Sequence, residues 1–183
     1  MTTKINPTLN PFSVLTPAFK DGSDTPAEYL ERCIRVIEEH EETIGVFVAT
    51  NFNGARKAAD QSTQRWKTGT PLSLIDGMPV GVKDIMETAD MVTEQGSPLF
   101  PNWQMGRDCA AVSALREAGA VILGKTVTTE FAATQPRGTR NPYDLDRTPG
   151  GSSSGSAAAV GSGMIPGATA SQVIGSTIRP ASY

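Results

Sequence analysis

Residues 149–160 read PGGSSSGSAAAV, a stretch in which two glycines, three serines and a run of alanines follow one another without a charged residue. A flexible linker has a similar Gly and Ser content, but a linker would not lead into an apolar AAAV segment. We therefore expect an Ala-rich helix here, preceded by glycines that permit unusual backbone conformations. Several hydroxyl groups are thereby gathered at one place.

The same stretch satisfies a motif of the α/β-hydrolases. Residues 151–155, GSSSG, match G-x-S-x-G and would make Ser153 a nucleophile. That chemistry needs a histidine base in the chain order Ser, acid, His. The single histidine, His40, lies upstream in a Glu-flanked helical segment typical of a solvated surface. This hypothesis therefore depends on a histidine beyond residue 183 and is the weaker alternative.

A lysine held neutral can activate a serine without histidine. Lys83 directly follows the apolar run MPVGV, so its stem is expected to be buried at the end of a strand. To act as a base its pKa must fall from about 10.4 to near 7.5, which only burial and suitable neighbours impose. A lysine after a strand is more often a surface ion-pair partner, so Lys83 needs support from other residues.

A third segment, SQVIGSTIRPASY over residues 171–183, supplies another serine. Ser176 follows Gly175, where consecutive backbone N–H groups can converge on an oxyanion. An ordinary turn is the competing interpretation of this segment.

A further motif match is rejected. GAVILGKT, residues 119–126, satisfies the P-loop pattern for nucleotide binding. A P-loop needs a flexible phosphate-binding loop between its glycines, whereas residues 120–123, AVIL, are expected to form a strand.

The periodicity elsewhere predicts alternating helices and strands. Helices are predicted from Thr25-Pro26 to an end at Gly45, over residues 55–66, and over residues 109–118 behind an Asp108 N-cap. Strands are predicted over residues 46–49, 78–82 and 120–123, which indicates a layered α/β protein. Residues 1–24 are rich in Pro, Thr and Ser and are expected to form an arm or extended lead-in.

The composition excludes several classes of function. The net charge is −3 and no basic run follows a phosphate backbone, so nucleic acid is not an expected partner. No apolar stretch reaches the ~20 residues that span a bilayer, and no secretion signal is recognisable, so we expect a cytoplasmic protein with no membrane contact. The two cysteines, Cys33 and Cys109, make neither a disulfide framework nor a metal cluster, and no metal or cofactor is expected.

Together these segments resemble the amidase signature family, whose hallmark is a Gly-Gly-Ser-Ser-x-Gly-Ser stretch followed by a serine and an Ile-Arg-x-Pro segment. The resemblance covers roughly residues 25–183 and includes GMPVGVKDI, GSPLF and GAVILGKTVTTEFA. The closest similarity is to the malonamidase branch. The family's fold has α/β/α layers around a mixed β-sheet, and this chain matches its N-terminal portion.

The resemblance implies roles for individual residues. Ser176 corresponds to the nucleophile, Ser152 to a bridging serine that follows a cis peptide bond, and Lys83 to the base. Ser154, as a hydroxyl bonded to the lysine, and Ser171, as a hydroxyl near the site, correspond to supporting groups. The implied reaction is hydrolysis of a small amide through an acyl-enzyme, with release of ammonia or an amine.

The segment around the nucleophile departs from the family pattern, which has two glycines where this chain has Ile174-Gly175 behind Val173. A positive φ at residue 174 would be disfavoured for a β-branched side chain, so φ is negative there or the oxyanion loop is altered. Ile174 is also expected to make the acyl pocket smaller, or different in shape, compared with relatives that have Gly. Arg179 either bonds loop carbonyls or pairs with a substrate carboxylate.

Relatives in the family are longer than 183 residues, which suggests a fragment or a partner chain. We divide the sequence into an arm, residues 1–24, and the N-terminal part of one amidase domain, residues 25–183. A homodimer through the first amphipathic helix and a missing C-terminal segment both remain open. The alternative function is a non-catalytic or assembly subunit that retains the fold.

Overall fold

A computed structural model describes residues 11–183. It contains six α-helices, four β-strands and a 3₁₀ turn. In chain order they are α1 (Phe12–Asp21), α2 (Pro26–Ile44), β1 (Phe47–Thr50), α3 (Phe52–Lys67), β2 (Pro79–Lys83), α4 (Ala110–Glu117), β3 (Val121–Thr126), the 3₁₀ turn Glu130–Ala132, α5 (Ser154–Gly161), β4 (Gly167–Ala168) and α6 (Ile178–Ala181).

The strands form one mixed sheet in the order β1-β3-β2-β4. β2 runs parallel to both β3 and β4, whereas β1 is antiparallel to β3. Lys83 lies opposite Thr126, so the carboxyl ends of β2 and β3 meet at one edge of the sheet. The carboxyl edge of parallel strands is where open α/β sheets usually bind their ligands.

Helices cover both faces of this sheet. Along β3, Val121 and Leu123 pack with α1, α2, α3 and α5 on one face, while the intervening Ile122 packs with Val112 of α4 on the other. This alternation is the period of two expected for a strand that is buried on both sides. The α/β/α layers around a mixed sheet are therefore confirmed.

The helix that begins at Thr25-Pro26 is confirmed and its cap explains its start. The Thr25 hydroxyl accepts a hydrogen bond from the backbone N–H of Glu28, and Pro26 occupies the first helical turn. The apolar stripe predicted on this helix, including Tyr29, Leu30 and Ile34, is buried in the core of the chain. That stripe is therefore used within the chain and gives no support to a dimer interface.

Three details of the predicted elements are wrong. Residues 1–10 lie outside the described residues, but Phe12–Asp21 is a helix instead of an extended lead-in, because Phe12 and Phe19 are buried against the core. Cys109, not Asp108, is the N-cap of α4, since the Asp108 carboxylate bonds the Ala89 N–H and Arg116. β3 continues beyond residue 123 to Thr126 because it pairs with both β1 and β2 there.

The Gly- and Ser-rich stretch of residues 149–160 leads into α5, which lies close against the sheet. Gly155 is required by this packing, since a Cβ atom there would lie 2.4 Å from the Val127 nitrogen and 2.5 Å from the Val46 oxygen. Gly150 adopts a φ of 82°, which a residue with a side chain rarely adopts. These two glycines bring the serines between them to the carboxyl edge of the sheet.

Candidate active site

Lys83 is the last residue of β2 and its side chain is fully buried. Its Nζ lies 2.7 Å from the Ser152 Oγ and 2.9 Å from the Ser171 Oγ. Burial lowers the pKa of Lys83 to about 8, because the charged ammonium loses its hydration. A lysine with this pKa is partly neutral near physiological pH and can accept a proton.

Ser152 is also fully buried, and the Gly151–Ser152 peptide bond is cis, as the resemblance implied. Two contacts hold this peptide in place. The Ser152 carbonyl accepts a hydrogen bond of 3.0 Å from the Thr129 N–H. On the other side, the Arg179 guanidinium donates to the Gly151 carbonyl from Nε at 3.0 Å and from Nη2 at 2.7 Å.

Ser176 lies beside this peptide on the segment before α6. Its carbonyl accepts a hydrogen bond of 3.1 Å from the Ser153 N–H, which places the two serine segments side by side. Within residues 11–183, no hydrogen bond joins the hydroxyls of Ser152 and Ser176. Catalytic hydrogen bonds are often long without substrate, so this geometry is compatible with a relay that forms on binding.

The turn before Ser176 agrees with one of the two alternatives that the sequence left open. Ile174 does not adopt a positive φ, so a β-branched residue is tolerated there. The side chains of Val173 and Ile174 are 97% and 95% exposed among the described residues, and the effect of Ile174 on an acyl pocket stays a prediction. In the part of the chain described, the backbone N–H groups of residues 173–176 bond no protein acceptor.

The prediction for Ser154 is wrong, whereas Ser171 lies at the site as expected. The Ser154 Oγ lies 3.4 Å from the Val127 carbonyl instead of bonding the lysine, because the first turn of α5 faces the end of β3. Ser171 makes the lysine contact. Ser153 is buried, with its hydroxyl 3.5 Å from the Ser171 carbonyl, and His40 lies on α2 near Glu39.

Two residues of the site were missed by sequence reasoning. The Thr169 hydroxyl accepts a hydrogen bond from the Lys83 N–H at 2.9 Å, a contact across 86 residues with no local signal. The Gln172 side chain accepts from the N–H groups of Thr177 and Ile178 at 3.0 and 2.9 Å. Gln172 stands six residues ahead of the start of α6, which is outside the local capping patterns, so the sequence carried no signal for this contact.

Lys125, the lysine of the P-loop match, lies in a different environment from Lys83. Lys125 is fully buried on β3 and pairs with the Asp84 carboxylate at 3.1 Å. Its Nζ also donates to the Val92 carbonyl at 2.9 Å and to the Thr93 hydroxyl at 2.6 Å. Since Gly124 and Lys125 belong to a strand, the rejection of a phosphate-binding loop agrees with the structure.

The described residues contain neither a metal-binding cluster nor a membrane-spanning helix. Residues 11–183 bring together no group of three or more His, Cys, Asp or Glu side chains with the geometry of a metal site. Over the same residues, no helix has the length and apolarity needed to span a membrane.

Comparisons with known proteins identify the family to which this chain belongs. The family model described as Amidase matches residues 28–183. The chain is 35% identical over 178 residues to a glutamyl-tRNA(Gln) amidotransferase subunit of Leptospira interrogans, an alignment that covers 94% of this chain and 37% of the relative. It is 39% identical over 171 residues to the protein of the same name from Mycobacterium bovis, with coverages of 90% and 34%.

Solved structures agree with this sequence similarity. Peptide amidase from Stenotrophomonas maltophilia superimposes with a TM-score of 0.88 at 28% identity, over 95% of this chain and 38% of that protein. Fatty acid amide hydrolase has the same fold, with a TM-score of 0.88 over 96% of this chain and 32% of its own. The chain thus spans little more than a third of the length of the relatives it matches. The chain belongs to the amidase signature family.

Proposed function

We propose that this chain carries the catalytic groups of an amidase, with Lys83 as base, Ser152 as bridging serine and Ser176 as nucleophile. The observation that carries the proposal is the 2.7 Å contact between the Lys83 Nζ and the Ser152 Oγ in a buried site. Burial supplies the lowered pKa that a lysine base needs, and the position of Ser176 beside the Ser152 peptide supplies a nucleophile.

The reaction follows from these positions. Neutral Lys83 takes the proton of Ser152, Ser152 takes that of Ser176, and the Ser176 Oγ attacks the amide carbonyl carbon. The free N–H groups of residues 173–176 would donate to the oxyanion. The relay then returns the proton to the leaving nitrogen, the C–N bond breaks, and water hydrolyses the acyl-enzyme to release a carboxylic acid and regenerate Ser176.

The proposed substrate is a small amide. A pocket of about 200 Å³ adjoins the cis peptide and includes Thr129, Gly151 and Arg179 in its lining. The cationic side chain in this lining is compatible with a carboxylate-bearing amide. The bidentate contact of Arg179 with the Gly151 carbonyl favours its role as a backbone clamp over direct substrate binding.

A fluorophosphonate probe, which labels activated serines, tests the proposal on the full chain. We expect labelling of the original protein, its loss in Ser176→Ala and its retention in Ser153→Ala, the matched control at a neighbouring buried serine. Loss in Ser153→Ala with retention in Ser176→Ala would favour the G-x-S-x-G hydrolase instead. Absence of labelling in a protein shown to be folded by circular dichroism would reject catalysis by this chain.

The names of the relatives favour a second candidate. Several of them are named as one of the subunits of an amidotransferase, so a component of a larger assembly that retains the amidase fold is the alternative. The probe separates the two, since a non-catalytic component leaves Ser176 unlabelled. Light scattering on the purified chain distinguishes a monomer from a homodimer.

A further inference from the structure

The buried ion pair between Asp84 and Lys125 is not used by the proposed reaction. Both side chains are fully buried and their charged atoms are 3.1 Å apart. Asp84 is the residue that immediately follows Lys83 in the chain, and Lys125 lies on β3 opposite Val82, next to the Lys83–Thr126 pair. An acidic and a basic group therefore lie one position along the sheet from the Lys83–Thr126 pair, in a buried region.

The hydrogen-bonding partners of Lys83 given by the structure are uncharged hydroxyl groups. Its Nζ contacts the hydroxyls of Ser152 and Ser171, and its backbone N–H contacts Thr169. The cation of Arg179 is directed to the Gly151 carbonyl. A neutral surrounding of this kind favours the deprotonated form of a buried lysine.

Other titratable groups approach the ion pair from neighbouring segments. Cys109, the N-cap of α4, and Asp90 act on the Lys125 ammonium, while the backbone N–H of Glu94 donates to the Asp84 carboxylate at 3.2 Å. None of these side chains replaces the opposite charge that Asp84 and Lys125 supply to each other. The local charge balance therefore depends on the pair remaining intact.

We propose that Lys125 and Asp84 are positioning residues for the reaction, because their mutual neutralisation keeps an uncompensated charge away from Lys83 and leaves that lysine able to lose its proton. This inference rests on the proposed function of Lys83 as the base. A lone Asp84 carboxylate would favour a protonated Lys83, and a lone Lys125 ammonium would oppose it. The two single substitutions therefore act on Lys83 in opposite directions.

The test measures the pKa of Lys83 directly, by NMR titration of ¹³Cε-labelled lysine in the full chain, with the resonance assigned by its loss in Lys83→Met. We expect Lys125→Met to raise the pKa of Lys83 and Asp84→Asn to lower it, each by at least about half a pH unit. The midpoint of fluorophosphonate labelling against pH should move in the same two directions. A purely structural pair would destabilise both variants without shifts of opposite sign, and that result would overturn the inference.

Breaking a buried ion pair is costly, so either single variant could fail to fold. The double variant Asp84→Asn/Lys125→Met restores neutrality, and Lys125→Arg retains the cation. Both are expected to keep the Lys83 pKa close to that of the original chain, and a shift above about half a unit in a folded protein of either kind would contradict the inference. The NMR readout needs no turnover, so opposite shifts in a protein that is not labelled would reject the proposed function while retaining the electrostatic inference.

Discussion

At the scale of single residues, the protonation of Lys83 decides the proposed chemistry. Among residues 11–183 its Nζ contacts two serine hydroxyls and no carboxylate, and burial lowers its pKa to about 8. The base is active only when neutral, so the rate of hydrolysis is expected to rise about tenfold per pH unit below 8 and to level off above it. A pH–rate profile on a small amide measures this directly. A constant rate between pH 6 and 8 would contradict a lysine base.

Arg179 provides a second test at a single residue. Its Nε and Nη2 both donate to the Gly151 carbonyl, a geometry that lysine cannot reproduce. Arg179→Lys is expected to lower kcat/KM about tenfold or more for neutral and carboxylate-bearing amides alike, because the clamp on the Ser152 peptide is weakened for both. Kinetics on a matched pair of substrates provides the measurement. A rise in KM confined to the carboxylate-bearing amide would instead indicate direct substrate binding.

At the scale of elements, close packing of α5 against the sheet positions the serines. Gly155→Ala would place a methyl group 2.4 Å from the Val127 nitrogen, a backbone atom that cannot move without disturbing β3. We expect a loss of about 2–3 kcal/mol in the free energy of unfolding, measured by urea denaturation. Gly161→Ala in the same helix is the control, since its nearest neighbour would be 3.5 Å away. Equal stability of the two variants would show that this close approach is not required.

The elements also show what sequence reasoning can reach. Helix α2 was predictable because its start signal, Thr25-Pro26, and its apolar period are both local. The end of β3 was not, because residues 124–126 become a strand only through pairing with β1 and β2. The pairing of Asp84 with Lys125 joins residues on two different segments of the chain, and neither residue carries a local sign of its partner.

The same distinction applies to the candidate site. Family resemblance indicated Lys83, Ser152 and Ser171, and the structure brings their side chains together. It misassigned Ser154, because the direction of that hydroxyl depends on how the first turn of α5 meets β3. The roles of these residues in catalysis stay predictions until the probe and the pH profile are measured.

At the scale of the whole molecule, the large core and the candidate site lie in different parts of the fold. Phe12, Phe19, Tyr29 and Trp66 form an aromatic cluster that attaches α1 to α2 and α3. The candidate site instead lies at the carboxyl edge of β2 and β3, where Lys83 meets the start of α5. Substitutions in the aromatic cluster should therefore change stability with little effect on the reactivity of Ser176.

Phe19→Ala tests this separation. Phe19 is 2% exposed and its ring centroid is 5.8 Å from that of Trp66, so its removal leaves a cavity beside the indole. We expect a loss of about 3–4 kcal/mol in the free energy of unfolding. The change in tryptophan fluorescence during denaturation measures this loss. Val14→Ala, on the exposed side of the same helix, should leave stability nearly unchanged. Fluorophosphonate labelling is then measured at low temperature, where both variants are folded. Labelling at the original rate would mean that the core that attaches α1 acts on stability alone. A much slower rate in folded Phe19→Ala would show that α1 packing also determines the geometry of the site.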